Sequence, residues 1–232
     1  MNIGGYIKSS LIDFPGTISC VVFTQGCNFH CPYCHNPDLV PMNRRKDELV
    51  SSESIFSFLE RRKGLLDGVV VTGGEPTLQK GLIDFLRRVK AMGFRVKLDT
   101  NGSRPQVLRV LFAENLVDYV AMDVKTSPGL YAPVLWDRVG SEILRESIGI
   151  IMGSSIRYEF RTTCVKPFTD EQTIAEIVSY IEGAARYVLQ PFKANRTLEP
   201  SFFNGENPAI EQITLQEFKR LADAFVRECV IR

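Results

Sequence analysis

Short runs of β-branched and apolar residues alternate with stretches of helical spacing along almost the whole 232-residue chain. In the helical stretches, apolar residues recur at i, i+3, i+4 and i+7, as in Leu82, Phe85, Leu86 and Val89. Six strand–helix repeats predict parallel strands with right-handed crossovers, as an open sheet or as part of a barrel. The predicted strands are Ile18–Thr24, Val69–Thr72, Phe94–Leu98, Val117–Met122, Ile156–Thr163 and Arg186–Leu189. The predicted helices lie at Glu53–Arg62, Leu82–Val89, Pro105–Asn115, Glu142–Ile150, Ile174–Ile181 and Leu215–Arg227.

A polar motif stands at the end of each predicted strand. Because parallel α/β folds build their sites at the carboxyl ends of the strands, we expect these motifs to form one composite site. In chain order, the motifs are Cys27–Asn36, Thr72–Pro76, Asp99–Gly102, Asp123–Lys125, Arg161–Thr163 and Gln190–Lys193.

Three cysteines with the spacing C-x3-C-x2-C lie in the first of these motifs, at Cys27, Cys31 and Cys34, together with both histidines of the chain. A structural zinc site would recruit His30 or His35 as its fourth ligand. Zinc sites usually gather separated pairs of ligands, whereas iron–sulfur clusters are held by closely spaced thiolates. The spacing therefore favours a cluster with one open iron, and zinc is the alternative.

The composition excludes several classes of partner. The formal net charge is +1, so no overall field favours nucleic acid or an acidic membrane surface. We find no signal-peptide pattern at the start and no apolar run of the ~18 residues that a membrane span needs. Clustered cysteines suit a reducing compartment, and Cys20 and Cys164 fit buried positions. We therefore expect a cytoplasmic protein that binds neither nucleic acid nor membrane.

The cysteine motif, with Tyr33 before its last cysteine, and the "GGEP" of Gly73–Pro76 resemble the radical S-adenosylmethionine (SAM) superfamily. The segments "CHNP", "LDTNG" and "MDVK" resemble the glycyl-radical-enzyme activating proteins. Within that group, the stretch Gly4–Val40 is similar to the activating proteins of anaerobic ribonucleoside-triphosphate reductase. The resemblance extends to about Phe192. It implies a partial (β/α)6 TIM-like barrel of the radical SAM type.

A single domain of residues 1–232 is expected, with a core of about 16–192 and a C-terminal extension of 198–232. The resemblance also implies a [4Fe–4S] cluster and reductive cleavage of SAM to a 5′-deoxyadenosyl radical. That radical would generate a glycyl radical on a partner enzyme, with electrons from a flavodoxin- or ferredoxin-type donor. The alternatives are an activator of a pyruvate formate-lyase-type enzyme, radical chemistry on a small molecule bound by Ser127–Gly140, and a non-enzymatic zinc module.

The resemblance assigns the site residue by residue. The metal ligands are Cys27, Cys31 and Cys34. The cofactor-binding residues are Tyr33, His35, Gly73, Gly74, Glu75, Asp99, Thr100, Asn101, Asp123, Lys125, Arg161, Thr163 and Gln190.

Particular roles follow for some of these residues. Glu75 would meet the ammonium group of SAM, and Lys125 its carboxylate. Hard cations favour oxygen ligands, so Asp99 and Asp123 are also candidates for holding a monovalent cation. Some similar activating enzymes carry a histidine where this chain has Lys193, so the role of that histidine is not transferred.

Overall fold

The computed structural model describes residues 1–43, 45–131, 141–193 and 196–232. The predicted fold class is confirmed: the protein is a mixed α/β fold with a parallel sheet that is not closed. The strands are β1 Ile3–Ser10, β2 Ser19–Thr24, β3 Gly68–Gly73, β4 Arg95–Thr100, β5 Tyr119–Asp123, β6 Arg157–Cys164, β7 Tyr187–Pro191 and β8 Cys229–Ile231. The helices are α1 Ser52–Glu60, α2 Leu82–Ala91, α3 Pro105–Ala113, α4 Ser141–Met152, α5 Glu171–Tyr180 and α6 Gln212–Asp223.

The first of two compact units comprises residues 1–28, 38–100 and 106–120. Its strands β2, β3 and β4 pair in parallel, and β1 pairs antiparallel with β2. The apolar stripe of α2 is buried, as the periodicity of the sequence requires. Helix α1 begins at a serine cap, since the Ser51 side chain accepts a hydrogen bond from the Ser54 amide.

The second unit comprises residues 29–37, 101–105 and 121–232. Its strands β6, β7 and β8 pair in parallel, and the register places Thr163 beside Gln190 at the carboxyl ends of β6 and β7. Helix α5 begins at the Asp170 cap and buries Ile174, Ile177 and Val178. These parallel strands therefore bring polar side chains to one end of the unit.

All six predicted strands and all six predicted helices are present, with ends shifted by a few residues. Strands β1 and β8 were not predicted. The reading of Cys20 and Cys164 as buried residues is confirmed, since both side chains are inaccessible to solvent. None of the helices among the described residues is long and apolar enough to cross a membrane.

Candidate active site

The carboxyl end of β3 presents Gly73 and Gly74, and the neighbouring main chain requires both glycines. The Gly74 amide donates to the Thr24 carbonyl at 2.9 Å, and the Glu75 amide donates to the Gly26 carbonyl at 2.8 Å. A Cβ on Gly73 would lie 2.3 Å from the Thr24 nitrogen, and a Cβ on Gly74 would lie 2.2 Å from the Gly26 oxygen. Both glycines are predicted cofactor-binding residues, and their contact with the cofactor stays a prediction. In the structure, the backbone that approaches is the protein's own segment leading into the cysteine motif.

Glu75 is buried at the start of a short 3-10 helix, Pro76–Leu78, with only 1% of its surface exposed. Its Oε1 atom accepts hydrogen bonds from the Thr77 amide at 3.0 Å, the Thr77 hydroxyl at 2.5 Å and the Thr100 hydroxyl at 2.8 Å. Three donors on one oxygen fix the orientation of the carboxylate. Of the predicted cofactor residues, Glu75 and Thr100 are therefore brought together. Their contact with SAM stays a prediction.

Asp99 lies at the end of β4 and pairs with Lys97, two residues earlier on the same face of the strand. The Lys97 side chain is 2% exposed, and a buried charge of this kind is costly unless it is paired. Lys97 was missed in the sequence, although a lysine inside an apolar strand two residues before an aspartate was a usable signal. The monovalent cation stays a prediction, and Asp99 already has a cationic partner.

In the second unit, Asp123 at the end of β5 accepts from two cations. Arg161 Nε lies 2.8 Å from one carboxylate oxygen and Lys125 Nζ lies 3.2 Å from the other. Burial alone would raise the pKa of Asp123, but Arg161 and Lys125 lower it to about 2. The carboxylate is therefore ionised at neutral pH. The predicted residues Asp123, Lys125 and Arg161 form one charged cluster.

Lys125 also faces the cysteine motif. Burial alone would lower its pKa, but the Asp123 carboxylate, and after it the charge of a deprotonated Cys31, raise it well above the ordinary value for lysine. Burial raises the pKa of Cys31 to about 11, although the charge of Lys125 opposes this. Cys31 is therefore a neutral thiol at pH 7 unless a metal takes the place of its proton. A fixed ammonium beside Cys31 and Cys34 suits thiolates that ligate a metal, so these residues fit an iron–sulfur cluster.

Aromatic rings surround the cysteine motif in this unit. Tyr33 packs against Phe168 with ring centroids 5.1 Å apart, and its buried hydroxyl has no hydrogen-bond partner among the described residues. His35 stacks on Phe192 at 5.2 Å and 20°. Burial, followed by the charge of Lys125, lowers the pKa of His35, so its ring is neutral at pH 7. His35 is a predicted cofactor-binding residue, and a neutral ring stacked on Phe192 suits contact with a flat group better than pairing with an anion.

The remaining predicted residues fall into two places. Thr163, Gln190 and His35 line one cavity of about 350 Å³ in the second unit. Asn101 is buried, and its side-chain oxygen accepts a hydrogen bond from the Ser103 amide at 3.0 Å. That bond shapes the turn into α3. His30, one of the two histidines that a zinc site would recruit, is exposed and pairs with Glu199 at 2.8 Å.

All six cysteines are free thiols, including the three of the motif. Across the described parts of the chain, no group of three or more His, Cys, Asp or Glu side chains is gathered closely enough to hold a single metal ion. A structural zinc site would require its four ligands around one ion.

The profile of the Radical SAM superfamily matches residues 21–177, which is more than half of the chain. The chain therefore belongs to the radical SAM superfamily, whose members use a [4Fe–4S] cluster and SAM.

A protein of Methanocaldococcus jannaschii, provisionally named as a glycyl-radical enzyme activating enzyme, is 33% identical over 235 residues. The match covers 99% of this chain and 95% of that protein. The pyruvate formate-lyase-activating enzyme of Clostridium pasteurianum is 42% identical over 97 residues, which are 40% of each chain. Within the superfamily, the chain belongs to the glycyl-radical enzyme activating enzymes and is therefore an enzyme.

Among solved structures, SuiB of Streptococcus suis superimposes with a TM-score of 0.64 at 12% identity. The match covers 91% of this chain and 48% of SuiB, so the chain spans about half the length of that protein. At this identity the likeness concerns the fold alone. It confirms the predicted partial barrel of the radical SAM type.

Proposed function

We propose that this enzyme generates a glycyl radical on a partner protein, using SAM and a [4Fe–4S] cluster held by Cys27, Cys31 and Cys34. When bound and reduced by a flavodoxin- or ferredoxin-type donor, the cluster would supply the electron for cleavage of SAM to methionine and a 5′-deoxyadenosyl radical. That radical would take a hydrogen atom from the glycine α-carbon of the partner, which would leave 5′-deoxyadenosine and a glycyl radical. The observation that carries the proposal is the Lys125 ammonium group, which lies 3.2 Å from the Asp123 carboxylate at the end of β5 and interacts electrostatically with Cys31 and Cys34.

The protein's own task is to bind and orient SAM. Lys125 carries a positive charge that suits the carboxylate of SAM. Its ion pair with Asp123 holds the ammonium group at the end of β5, and Arg161 pairs with the same aspartate. In the first unit, the buried Glu75 carboxylate is fixed by Thr77 and Thr100 and has the charge to meet the SAM ammonium. The stack of His35 on Phe192 offers a flat face to the adenine.

For the partner, we propose anaerobic ribonucleoside-triphosphate reductase, and Gly4–Val40 supports this choice by its resemblance to activators of that enzyme. A pyruvate formate-lyase-type partner is the second candidate, because of the relative in Clostridium pasteurianum. A flavodoxin- or ferredoxin-type donor and a cytoplasmic location complete the proposal. The small-molecule alternative relied on Ser127–Gly140, of which residues 132–140 lie outside the described residues.

Electron spin resonance tests the proposed partner. The anaerobically reconstituted protein is reduced and mixed with SAM and with either candidate enzyme. We expect a glycyl radical on the reductase that depends on SAM and is absent with Cys31→Ala protein. A glycyl radical on pyruvate formate-lyase, with none on the reductase, would identify the pyruvate formate-lyase-type enzyme as the partner instead. Release of 5′-deoxyadenosine with no radical on any glycyl-radical enzyme would contradict the proposed activity.

A further inference from the structure

Tyr131 lies where the chain turns back toward the end of β5, six residues after Lys125. The short 3-10 helix Pro128–Leu130 makes this turn, and the Leu130 amide donates to the Ser127 carbonyl at 2.9 Å within it. The Tyr131 side chain is only 1% exposed, so almost the whole ring and its hydroxyl lie inside the fold. A tyrosine hydroxyl in such a place needs a hydrogen-bond partner, and this one has its partner in the main chain beside the proposed SAM site.

The Tyr131 hydroxyl accepts a hydrogen bond from the Lys125 amide at 2.7 Å. Lys125 lies beyond the end of β5, which is at Asp123, and its amide is bonded to this side chain rather than to a neighbouring strand. A buried or partly buried amide without an acceptor is costly, so the hydroxyl oxygen stabilises this course of the main chain. Tyr131 therefore fixes the backbone of the residue whose ammonium group is proposed to meet SAM.

The two chain neighbours of Lys125 are also held by buried hydroxyl groups. The Val124 carbonyl accepts a hydrogen bond from the Thr162 hydroxyl at 2.6 Å, and the Thr126 hydroxyl donates to the Phe168 carbonyl at 2.9 Å. Hydrogen bonds of side chains to the main chain are thus made at three successive residues beyond the strand. The position of the lysine depends on these contacts, because no further strand residue follows to hold it.

Tyr131 also contacts the cysteine motif. Its ring meets the ring of Phe29 edge to face, with centroids 5.8 Å apart, and Phe29 is itself 2% exposed. Phe29 lies two residues before Cys31 in the sequence. Aromatic pairs in this arrangement are favourable beyond the area that they bury. A single side chain therefore joins the segment of Lys125 to the segment of a proposed cluster ligand.

We propose that Tyr131 is a positioning residue for SAM binding, which holds Lys125 in place through the hydrogen bond between its hydroxyl and the Lys125 amide. This inference rests on the proposed function, in which Lys125 meets the SAM carboxylate. Tyr131 itself does not need to touch the cofactor. Groups that orient a binding side chain matter almost as much as the side chain, and at metal sites their removal lowers affinity or activity about tenfold to a hundredfold.

Replacing Tyr131 by phenylalanine tests the inference, because it removes one oxygen and keeps the ring against Phe29. Equilibrium binding of SAM and iron content are measured without oxygen on the reconstituted protein. We expect the dissociation constant of SAM to rise about tenfold and the iron content to stay unchanged. Unchanged SAM affinity would overturn the inference. Loss of cluster iron would also overturn it, since the hydroxyl would then support the cysteine motif rather than Lys125.

Tyr158→Phe is the matched control. The Tyr158 hydroxyl likewise accepts a hydrogen bond from a main-chain amide, that of Ala185 at 3.1 Å, but near the amino end of β6. We expect this variant to bind SAM as tightly as the unaltered protein. An equal loss of affinity in Tyr158→Phe and Tyr131→Phe would show that any lost tyrosine hydroxyl weakens binding, which would contradict the specific role of Tyr131.

A double-mutant cycle separates the positioning of Lys125 from a general effect on the fold. SAM binding is measured for Lys125→Ala and for Lys125→Ala/Tyr131→Phe. Once the lysine side chain is gone, Tyr131 has no ammonium group to position, so we expect the second substitution to change the dissociation constant by less than about twofold. The same tenfold rise in both backgrounds would show that Tyr131 acts independently of Lys125 and would overturn the inference.

The Lys125→Ala protein alone distinguishes failure of the proposed function from failure of this inference. If Lys125→Ala binds SAM as tightly as the unaltered protein, the proposed contact of Lys125 with the cofactor is wrong, and the role of Tyr131 falls with it. If Lys125→Ala loses affinity while Tyr131→Phe does not, only the role of Tyr131 is wrong. We expect both variants to lose affinity, with the larger loss in Lys125→Ala.

Discussion

Lys125 Nζ lies 3.2 Å from a carboxylate oxygen of Asp123, two residues earlier at the end of β5. The same lysine interacts electrostatically with the thiols of Cys31 and Cys34. One cation therefore connects the cysteine motif with the charged strand end. Neither sequence motif alone establishes this connection.

Replacing Lys125 by alanine should weaken SAM binding, because it removes the charge proposed to meet the SAM carboxylate. A hydrogen bond to a charged group is worth about 1.5–3 kcal/mol, so we expect the dissociation constant to rise about tenfold to a hundredfold. Equilibrium binding and iron content are measured together, with Lys8→Ala as the matched control. An unchanged dissociation constant with lost cluster iron would contradict the assigned role.

Replacing Cys31 by alanine should abolish both cluster assembly and the release of 5′-deoxyadenosine. Three thiolates hold the proposed cluster, and the Cys31 side chain is buried where no water can easily substitute for it. Cys164→Ala is the control, since that thiol is buried in β6 away from the motif in sequence. Iron and sulfide analysis with chromatography of the products gives the readout. Continued 5′-deoxyadenosine release by Cys31→Ala protein would refute the ligand assignment.

Gly74→Ala should destabilise the fold by about 1–3 kcal/mol, because the new Cβ meets a backbone carbonyl that cannot move freely. Gly149→Ala should act in the opposite direction and stabilise by about 0.5–1 kcal/mol, since that glycine lies in α4 with open space around it. Urea unfolding of both variants measures the difference. Equal stability of Gly74→Ala and the unaltered protein would show that the close approach to Gly26 is not required.

The Asp170 cap of α5 should contribute stability that depends on pH. Its side chain accepts a hydrogen bond from the Thr173 amide at 2.7 Å, and the hydrogen bonds with Thr173 lower the pKa of Asp170. Because the pKa of Asp170 is lower in the folded protein than in the unfolded chain, the ionised carboxylate stabilises the fold above the ordinary aspartate pKa of about 3.9. This stabilisation is lost as the pH falls through the pKa of the folded state.

We therefore expect Asp170→Ala to reduce the free energy of unfolding by about 1 kcal/mol at neutral pH, with a smaller effect in acid. Asp170→Asn is the matched control, because asparagine caps a helix without titrating. Denaturant unfolding across the acidic range gives both curves. An alanine effect that is the same at every pH would disprove the contribution of the carboxylate charge.

The six central strands and the six helices were predictable because β-branched runs and helical spacing are local signals. Strand β1 was missed because Gly4, Gly5, Ser9 and Ser10 dilute its apolar alternation, and its antiparallel pairing depends on β2. Strand β8 has only three residues and is defined by pairing with β7. Long-range pairing of this kind leaves no local pattern in the sequence.

The candidate site was predictable as a set of residues but not as a set of contacts. The motifs identified Glu75, Asp123 and Lys125, whereas the contacts of Thr100 with Glu75 and of Arg161 with Asp123 join the ends of different strands. Lys97 was missed because a lysine in a strand is usually exposed, although its place in an apolar strand two residues before Asp99 was a signal, and the structure shows it buried against Asp99. The part that Arg232 plays in lining the cavity beside β6 and β7 was missed because Arg232 lies far along the chain from those strands.

Deuterium transfer is the most direct test of the proposed reaction. The candidate reductase is prepared with α-deuterated glycine, mixed anaerobically with the reduced enzyme and SAM, and the 5′-deoxyadenosine is analysed by mass spectrometry. Because the proposed radical takes its hydrogen from the glycine α-carbon, we predict deuterium in 5′-deoxyadenosine together with a glycyl radical on the partner. Unlabelled 5′-deoxyadenosine accompanied by a glycyl radical would contradict direct abstraction by this enzyme.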